Sequence, residues 1–334
     1  MTEVAGRYEL LELLGQGGQG RTYRAWDPRT QKHVAVKAMA LRGQRGWKAF
    51  DLFERECNVL KTLKLLGVPK FLDSFADNGA NEYFLVMELI AGDSLQDLID
   101  DSVPLPLPQL YNVLEQLLGI LEMLHGQNVP IIHRDIKPAN IICKPDGSLV
   151  LVDFGSVSLT STGGAGSGGS TMIGTSGYMA PEQFHGEVSP ASDLYGLGAT
   201  LAALAAGVPA NELRRRGLRI DLRRILSRSP LRKVTEKLLQ PNPDRRYASV
   251  DAVYRDLDRL TEKQSSGRPW YLGSGDATEA QAQDEGLPAR HKQNQRGMLS
   301  PTTTFFLKTT GKGLGLLARR VLRSWQRTLR GGPK

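Results

Sequence analysis

Short apolar runs broken by glycine open the chain, and helical spacing takes over farther along. Tyr8 to Leu14, Thr22 to Trp26 and His33 to Met39 predict antiparallel strands joined by turns. From Trp47 to Lys64, the positions Phe50, Phe53, Cys57, Leu60 and Lys64 recur near a helical period with charge between them, which predicts the first helix. Two further strands are expected around Lys70 to Phe75 and Tyr83 to Glu88. Residues 8–91 therefore read as a small β-rich lobe carrying one helix.

After Gly92 the spacing becomes helical, over Leu95 to Ile99 and over Gln109 to Leu124, where Leu110, Val113, Leu114, Leu117, Leu118 and Leu121 mark the buried face. Ile141 to Cys143 and Leu149 to Val152 flank Pro145-Asp146-Gly147, residues that favour a tight hairpin. Helices resume after Pro181 and run to about Leu260, so residues 92–262 read as an α-rich lobe and the fold class as α+β, two-lobed. From Gln264 to Ser300 the composition shifts to Gly, Ser, Gln, Ala and Asp without apolar periodicity, which predicts a disordered linker over 263–300. In residues 301–334 a step of about 100° per residue puts Leu314, Leu317, Val321, Trp325 and Leu329 on one face. Arg319, Arg320, Arg323, Arg327 and Arg330 lie opposite, so the tail predicts a cationic amphipathic helix.

Composition changes this picture in one respect. At 334 residues and 40% hydrophobic content the chain suits a soluble globular protein of one large or two modest domains. Its formal charge of +8 resides entirely in residues 301–334, leaving a neutral body. Such a tail suits docking on anionic lipid, with Trp325 at the interface, or equally packing on the folded body or a partner protein. Nucleic acid is disfavoured, because the apolar stripe would have no role there.

Cys57 and Cys143 have neither metal-ligand nor redox spacing, which suggests reduced buried thiols and a cytoplasmic placement, peripheral to the inner face of a membrane if the tail binds lipid. The first residues lack a basic region followed by an apolar run, so no signal peptide is expected. The longest apolar stretch, Tyr195 to Val208, is too short to span a bilayer and predicts a buried helix.

The candidate chemistry begins at Gly15-Gln16-Gly17-Gly18-Gln19-Gly20, which alone could be a plain hairpin turn but would also let backbone amides approach polyphosphate oxygens. Lys37, in Val34-Ala35-Val36-Lys37, is a lone ammonium on an apolar strand and needs an anion. Glu56, between Phe53 and Leu60 on the same helical face, can supply it. Ile132-His133-Arg134-Asp135-Ile136-Lys137-Pro138-Ala139-Asn140-Ile141 is followed thirteen residues after Asn140 by Asp153-Phe154-Gly155. Phosphoryl transfer needs a carboxylate for the incoming hydroxyl, a cation at the transferring group and oxygen ligands for Mg²⁺. Asp135, Lys137, Asn140 and Asp153 form that set.

On these motifs the chain resembles the eukaryotic-like protein kinase family over about residues 8–262, with bacterial serine/threonine kinases nearest in character. The resemblance implies a two-lobed fold with ATP in the cleft and Mg²⁺ or Mn²⁺ beside it. It implies Gly15, Gly17 and Gly20 in the phosphate loop and a Lys37–Glu56 ion pair. It also assigns Asp135 as the base, Lys137 at the γ-phosphate, and Asn140 and Asp153 on the metal. Val86-Met87-Glu88-Leu89-Ile90 resembles the hinge, with Met87 as gatekeeper and the backbones of Glu88 and Ile90 on adenine. Ala35 and Ile142 would sandwich the ring, and Asp93 would lie near the ribose. Ala180-Pro181-Glu182 resembles the end of an activation segment, with Arg246 as partner of Glu182 and Asp193 as anchor of the catalytic loop or, alternatively, a plain N-cap. Lysine two residues after Asp135 is the serine/threonine pattern, so protein Ser/Thr hydroxyls are the implied substrates.

Gln19 and Thr22 depart from the usual loop-tip aromatic and adenine-side valine, and the short stretch from Gly207 to Leu239 predicts a reduced substrate-facing helix. A nucleotide-binding scaffold without transfer would be expected to lose Lys37, Asp135 or Asp153, and all three are present. A small-molecule phosphotransferase is disfavoured by Ala180-Pro181-Glu182, which resembles a peptide-binding ledge. The Gly-rich run from Thr160 to Thr171 predicts either a loop ordered by autophosphorylation at Ser170 or Thr171, with Arg134 receiving the phosphate, or a loop that needs no phosphate. Thr175 reads as part of the substrate-binding wall.

Overall fold

The computed structural model describes residues 2–262 apart from 18–19, 41–45, 78–81, 160–174, 218 and 227–228. The expected linker 263–300, the tail 301–334, Ser170 and Thr171 lie outside the described residues.

The strands β1 (Thr2–Val4), β2 (Tyr8–Gly17), β3 (Gly20–Asp27), β4 (Lys32–Ala40), β5 (Phe71–Asp77) and β6 (Glu82–Glu88) make one antiparallel sheet in the order β1-β2-β3-β4-β6-β5. The helix α1 (Gly46–Thr62) lies between β4 and β5 in sequence. Alternation along β4 explains its burial on both sides. Val34, Val36 and Ala38 join Phe84 and Val86 of β6 in a cluster on one face of the sheet. Ala35 and Met39 join Leu85 and Met87 of β6, with Phe53, Cys57 and Leu60 of α1, in the main core on the other. Lys37 shares the second face, which turns it toward α1 and the cleft.

The second lobe follows, with β7 (Asp93–Ser94), α2 (Leu95–Asp100), α3 (Leu107–His125), β8 (Ile131–Ile132), β9 (Ile141–Cys143), β10 (Leu149–Leu151), β11 (Ser158–Leu159) and α4 (Pro190–Ala206). The chain then forms a hairpin of β12 (Arg215–Arg216) and β13 (Arg219–Ile220) before α5 (Pro230–Leu238) and α6 (Val250–Glu262). Helix α4 is buried at every position from Ala191 to Leu204, as expected of a helix apolar all round. It packs between α3 and α5, and α6 packs on α5. Gly92 joins the lobes at φ +151°, and a β-carbon there would lie 2.2 Å from the Cys143 carbonyl oxygen. Only glycine lets the connection press onto β9 in this way.

The strands, helices and hairpin sit close to their expected positions. Lys64 is an exception: α1 ends at Thr62, although the Leu63 N–H still donates to the Val59 carbonyl at 3.0 Å. Strand β1 was unforeseen, because three residues carry no period and acquire order only by pairing with β2. Cys57 and Cys143 are both free and buried. Among the described residues no helix is long and apolar enough to cross a membrane.

Candidate active site

Lys37 is 5% exposed and Glu56 1%, so an unpartnered ammonium or carboxylate here would be costly. The Lys37 Nζ donates to Glu56 Oε1 at 3.0 Å and Oε2 at 2.8 Å, and to Asp153 Oδ1 at 2.7 Å. One ammonium thus ties β4, α1 and the Asp-Phe-Gly turn together. Burial works to lower the Lys37 pKa, but the Glu56 and Asp153 carboxylates outweigh it and raise it, so the side chain stays charged.

Asp153 occupies the left-handed region at φ +63°, and Arg134 does so at φ +71°. Non-glycine residues held there cost roughly 1–3 kcal/mol each, so surrounding contacts must impose the geometry. For Arg134 those contacts are visible. Its N–H donates to Asp193 Oδ1 at 2.7 Å, and its carbonyl accepts from Gln183 Nε2 at 3.0 Å. Asp193 also accepts from the His133 N–H at 2.9 Å and lies 2.9 Å from His125 Nε2. Ser189 is the N-cap of α4, so Asp193 is the catalytic-loop anchor of the resemblance and not a cap. The His133 ring meets Phe154 edge-on at 4.9 Å, which couples the catalytic loop to the Asp-Phe-Gly turn.

Asp135 is 8% exposed and held on several sides. Lys137 Nζ donates to its Oδ2 at 2.7 Å, Asn140 Nδ2 to the same oxygen at 3.0 Å, and the Thr175 hydroxyl to Oδ1 at 3.2 Å. Lys137 Nζ also donates to Thr175 Oγ1 at 2.6 Å. Thr175, expected only as a wall, is therefore in direct contact with both catalytic-loop side chains.

The donor set fits a hard divalent cation. Both Asn140 bonds to Asp135 use Nδ2, which leaves its amide oxygen available, and Asp153 keeps a second carboxylate oxygen on a side chain that is 40% exposed. Among the described residues no group of three or more His, Cys, Asp or Glu could hold a metal by itself. Mg²⁺ shared between one or two protein oxygens and phosphate matches that supply. At Gly15 and Gly17 a β-carbon would meet nothing within 4 Å, so packing within the protein does not demand glycine there. Gly20 is different, since a β-carbon would lie 2.3 Å from the Ala38 carbonyl.

At the hinge, Met87 is buried and stands opposite Ala35 in the sheet register, on the face that carries Lys37. The Glu88 N–H is occupied by the Lys70 carbonyl at 2.9 Å and so is not open to a ligand. Ile90 follows directly, Asp93 lies in β7, and Ile142 in β9 pairs with Ser94. Behind the site, Arg246 grips Glu182 in a two-pronged pair at 2.6 and 2.5 Å. Gln183 was missed in the sequence because nothing but its place after Ala180-Pro181-Glu182 marks it.

Partial burial works to raise the Asp153 carboxyl, and the Lys37 ammonium more than offsets this, holding it at about 2. The unfolded value is about 3.9, so as pH falls the unfolded chain binds the proton first. The stabilisation is complete above about pH 5 and is lost toward pH 2. Denaturant titrations across that window should give a falling limb that Asp153→Asn flattens; an unchanged limb in the variant would assign it elsewhere.

A glycine-lined strand turn lies over a lysine–glutamate–aspartate cluster, beside a second lobe with an aspartate–lysine–asparagine set, and together they make one candidate site. The chain belongs to the protein kinase family: the family model described as "Protein kinase domain" matches residues 8–257. It is similar to Serine/threonine-protein kinase F of Synechocystis sp., 35% identical over 294 residues covering 80% of this chain and 58% of that protein. Serine/threonine-protein kinase D of the same organism is 36% identical over 275 residues, covering 77% and 53%. PknB of Mycolicibacterium smegmatis is 31% identical over 291 residues, covering 82% and 46%. The chain thus spans about half the length of these relatives.

Proposed function

We propose that the chain transfers the γ-phosphate of ATP to serine and threonine hydroxyls of proteins. The observation that carries this reading is the assembled state of both halves of the site: Lys37 bound to Glu56 and Asp153, and Asp135 bound to Lys137, Asn140 and Thr175. Lys37 holds the α- and β-phosphates, and the Gly15 and Gly17 backbone covers them. Asn140 and Asp153 would hold Mg²⁺, which would supply neutralisation of charge on the phosphate oxygens. Asp135 accepts and orients the incoming hydroxyl, while Lys137 offsets charge at the transferring group. Ala35, Met87, Glu88, Ile90, Asp93 and Ile142 hold the nucleoside. The test is transfer from γ-labelled ATP with Mg²⁺ to acidic and basic carrier proteins, with Asp135→Ala as control. Label that persists in the variant would refute the assignment.

The same reading includes autophosphorylation at Ser170 or Thr171. Burial lowers the Arg134 pKa and the Arg55 charge lowers it further, against the opposing pull of Asp193, so an added anion near Arg134 would be favoured. Among the described residues the buried Arg134 Nε has no hydrogen-bond partner. Arg55, on α1, had no local sequence signal. Alanine at both Ser170 and Thr171 should reduce phosphate incorporation and activity several-fold; unchanged values would rule these sites out.

The tail 301–334 supports attachment of a cytoplasmic kinase to an anionic membrane surface or to a partner protein. Sedimentation with anionic liposomes should weaken when residues 301–334 are removed, and equal binding by both chains would exclude the membrane.

A further inference from the structure

Between α4 and α5 the chain carries six arginines in eleven positions, Arg214, Arg215, Arg216, Arg219, Arg223 and Arg224, and one acidic residue, Asp221. Leu213, Ile220, Leu222 and Leu226 are buried in the main core and anchor this segment, while all six arginines remain exposed. The stretch in which a reduced helix is expected holds the short helix α5 and, before it, the β12–β13 hairpin, which sets Arg216 directly across from Arg219. Like charges so placed are destabilising, and exposed positions could carry any polar side chain without this cost. Asp221 accepts from Arg216 Nε at 2.7 Å. Among the described residues none of the other five arginines has a carboxylate within ion-pair distance. Among the described residues, five of these positive charges thus lack an ion pair, and Asp221 is the one carboxylate within the run that acts on Arg216 and Arg223.

Their position relates them to the transfer site. The Ala210 N–H donates to Tyr178 Oη at 3.3 Å, and Gly177, at φ +90°, lies so close that a β-carbon would be 2.5 Å from the Asn211 nitrogen. The Tyr178 N–H donates to the Thr175 carbonyl at 3.1 Å, and the Thr175 hydroxyl reaches Asp135. An unbroken chain of contacts thus runs from the catalytic carboxylate to residues four positions before Arg214. A polypeptide with its hydroxyl at Asp135 that followed this line of contacts would pass beside the arginines. A lipid surface or nucleic acid has no comparable reason to lie there.

We propose that this arginine hairpin docks carboxylate-rich segments of protein substrates, so that the chain favours acceptor hydroxyls set in acidic sequence. The inference rests on the serine/threonine kinase reading above. Guanidinium groups recognise carboxylates in paired geometry, and several exposed contacts together give specificity and salt sensitivity.

The test uses the full chain, two peptides with the same acceptor serine flanked by Glu and Asp or by Gln and Asn, and the variant Arg215→Gln/Arg219→Gln/Arg223→Gln. These three side chains are exposed, and Arg216 keeps its bond to Asp221. In the wild type, kcat/KM should favour the acidic peptide by about tenfold, mainly through KM, and the preference should shrink as salt rises. The triple variant should lose it while phosphorylating the neutral peptide as before. Anisotropy of the labelled acidic peptide, which needs no turnover, should show the same loss of binding. Transfer to neither peptide alongside arginine-dependent binding would refute the kinase reading and retain the docking surface. Equal acid preference in both proteins, or a variant that loses binding to anionic vesicles or DNA but not to the peptide, would overturn the proposal.

Discussion

Asp135→Asn should lower kcat for phosphoryl transfer by roughly 10²–10⁴-fold, the range expected when a positioned acid–base group is removed. Asparagine preserves the volume, so Lys137, Asn140 and Thr175 can still pack around it; what is lost is the anionic oxygen proposed to accept the hydroxyl proton. KM for ATP should hardly change, because Asp135 bonds to the catalytic loop and to Thr175 and not to the groups assigned to the nucleotide. Steady-state kinetics beside a thermal melt check both halves. A drop in kcat below threefold with an unchanged melt would remove Asp135 from the role of base.

The second large effect concerns stability. Side-chain exposure is 0% at Arg246 and 6% at Glu182, and Arg246 also donates to the carbonyls of Gln240, Pro241 and Ala191. The Ser192 hydroxyl donates to Glu182 as well. Arg246→Ala would strand a buried carboxylate and several carbonyls, a loss of roughly 3–5 kcal/mol. For a domain of this size that is a drop in thermal midpoint of roughly 6–20 °C. Arg246→Lys should recover little, since an ammonium cannot reproduce the two-pronged grip. Removing both partners, as in Glu182→Leu/Arg246→Met, should cost less than the sum of the single changes. Midpoints measured by calorimetry decide this, and a shift under about 2 °C for Arg246→Ala would show that water reaches the pair.

The sequence exposed the groups assigned to the candidate site because their constraints are local. Lys37 is a charge on an apolar strand, Glu56 lies on the buried stripe of α1, and Asp135, Lys137 and Asn140 fall within six residues of one another. Their mutual distances follow once the strand and helix periods are right. Gln183, Arg55 and the contact of Thr175 with Asp135 depend on how distant segments meet, and no period encodes that. The β12–β13 hairpin escaped for a related reason. Its buried residues are spaced too irregularly to mark an element, and its arginines read as an ordinary solvated face until the contacts of Ala210 and Asn211, just before them in the chain, with Tyr178 and Gly177 are known. In β2, bulges near Glu12 and Gly15 break the alternation, so the strand was legible but the exposure of Leu11 and Leu13 was not.

The central claim is that Lys37, Glu56, Asp135, Lys137, Asn140 and Asp153 form a working site for transfer to serine and threonine. Phosphoamino-acid analysis of carrier protein after incubation with γ-labelled ATP and Mg²⁺ tests it most directly. The account predicts label on phosphoserine and phosphothreonine that disappears with Asp135→Asn; label on phosphotyrosine alone, or no label with a folded protein, would contradict it.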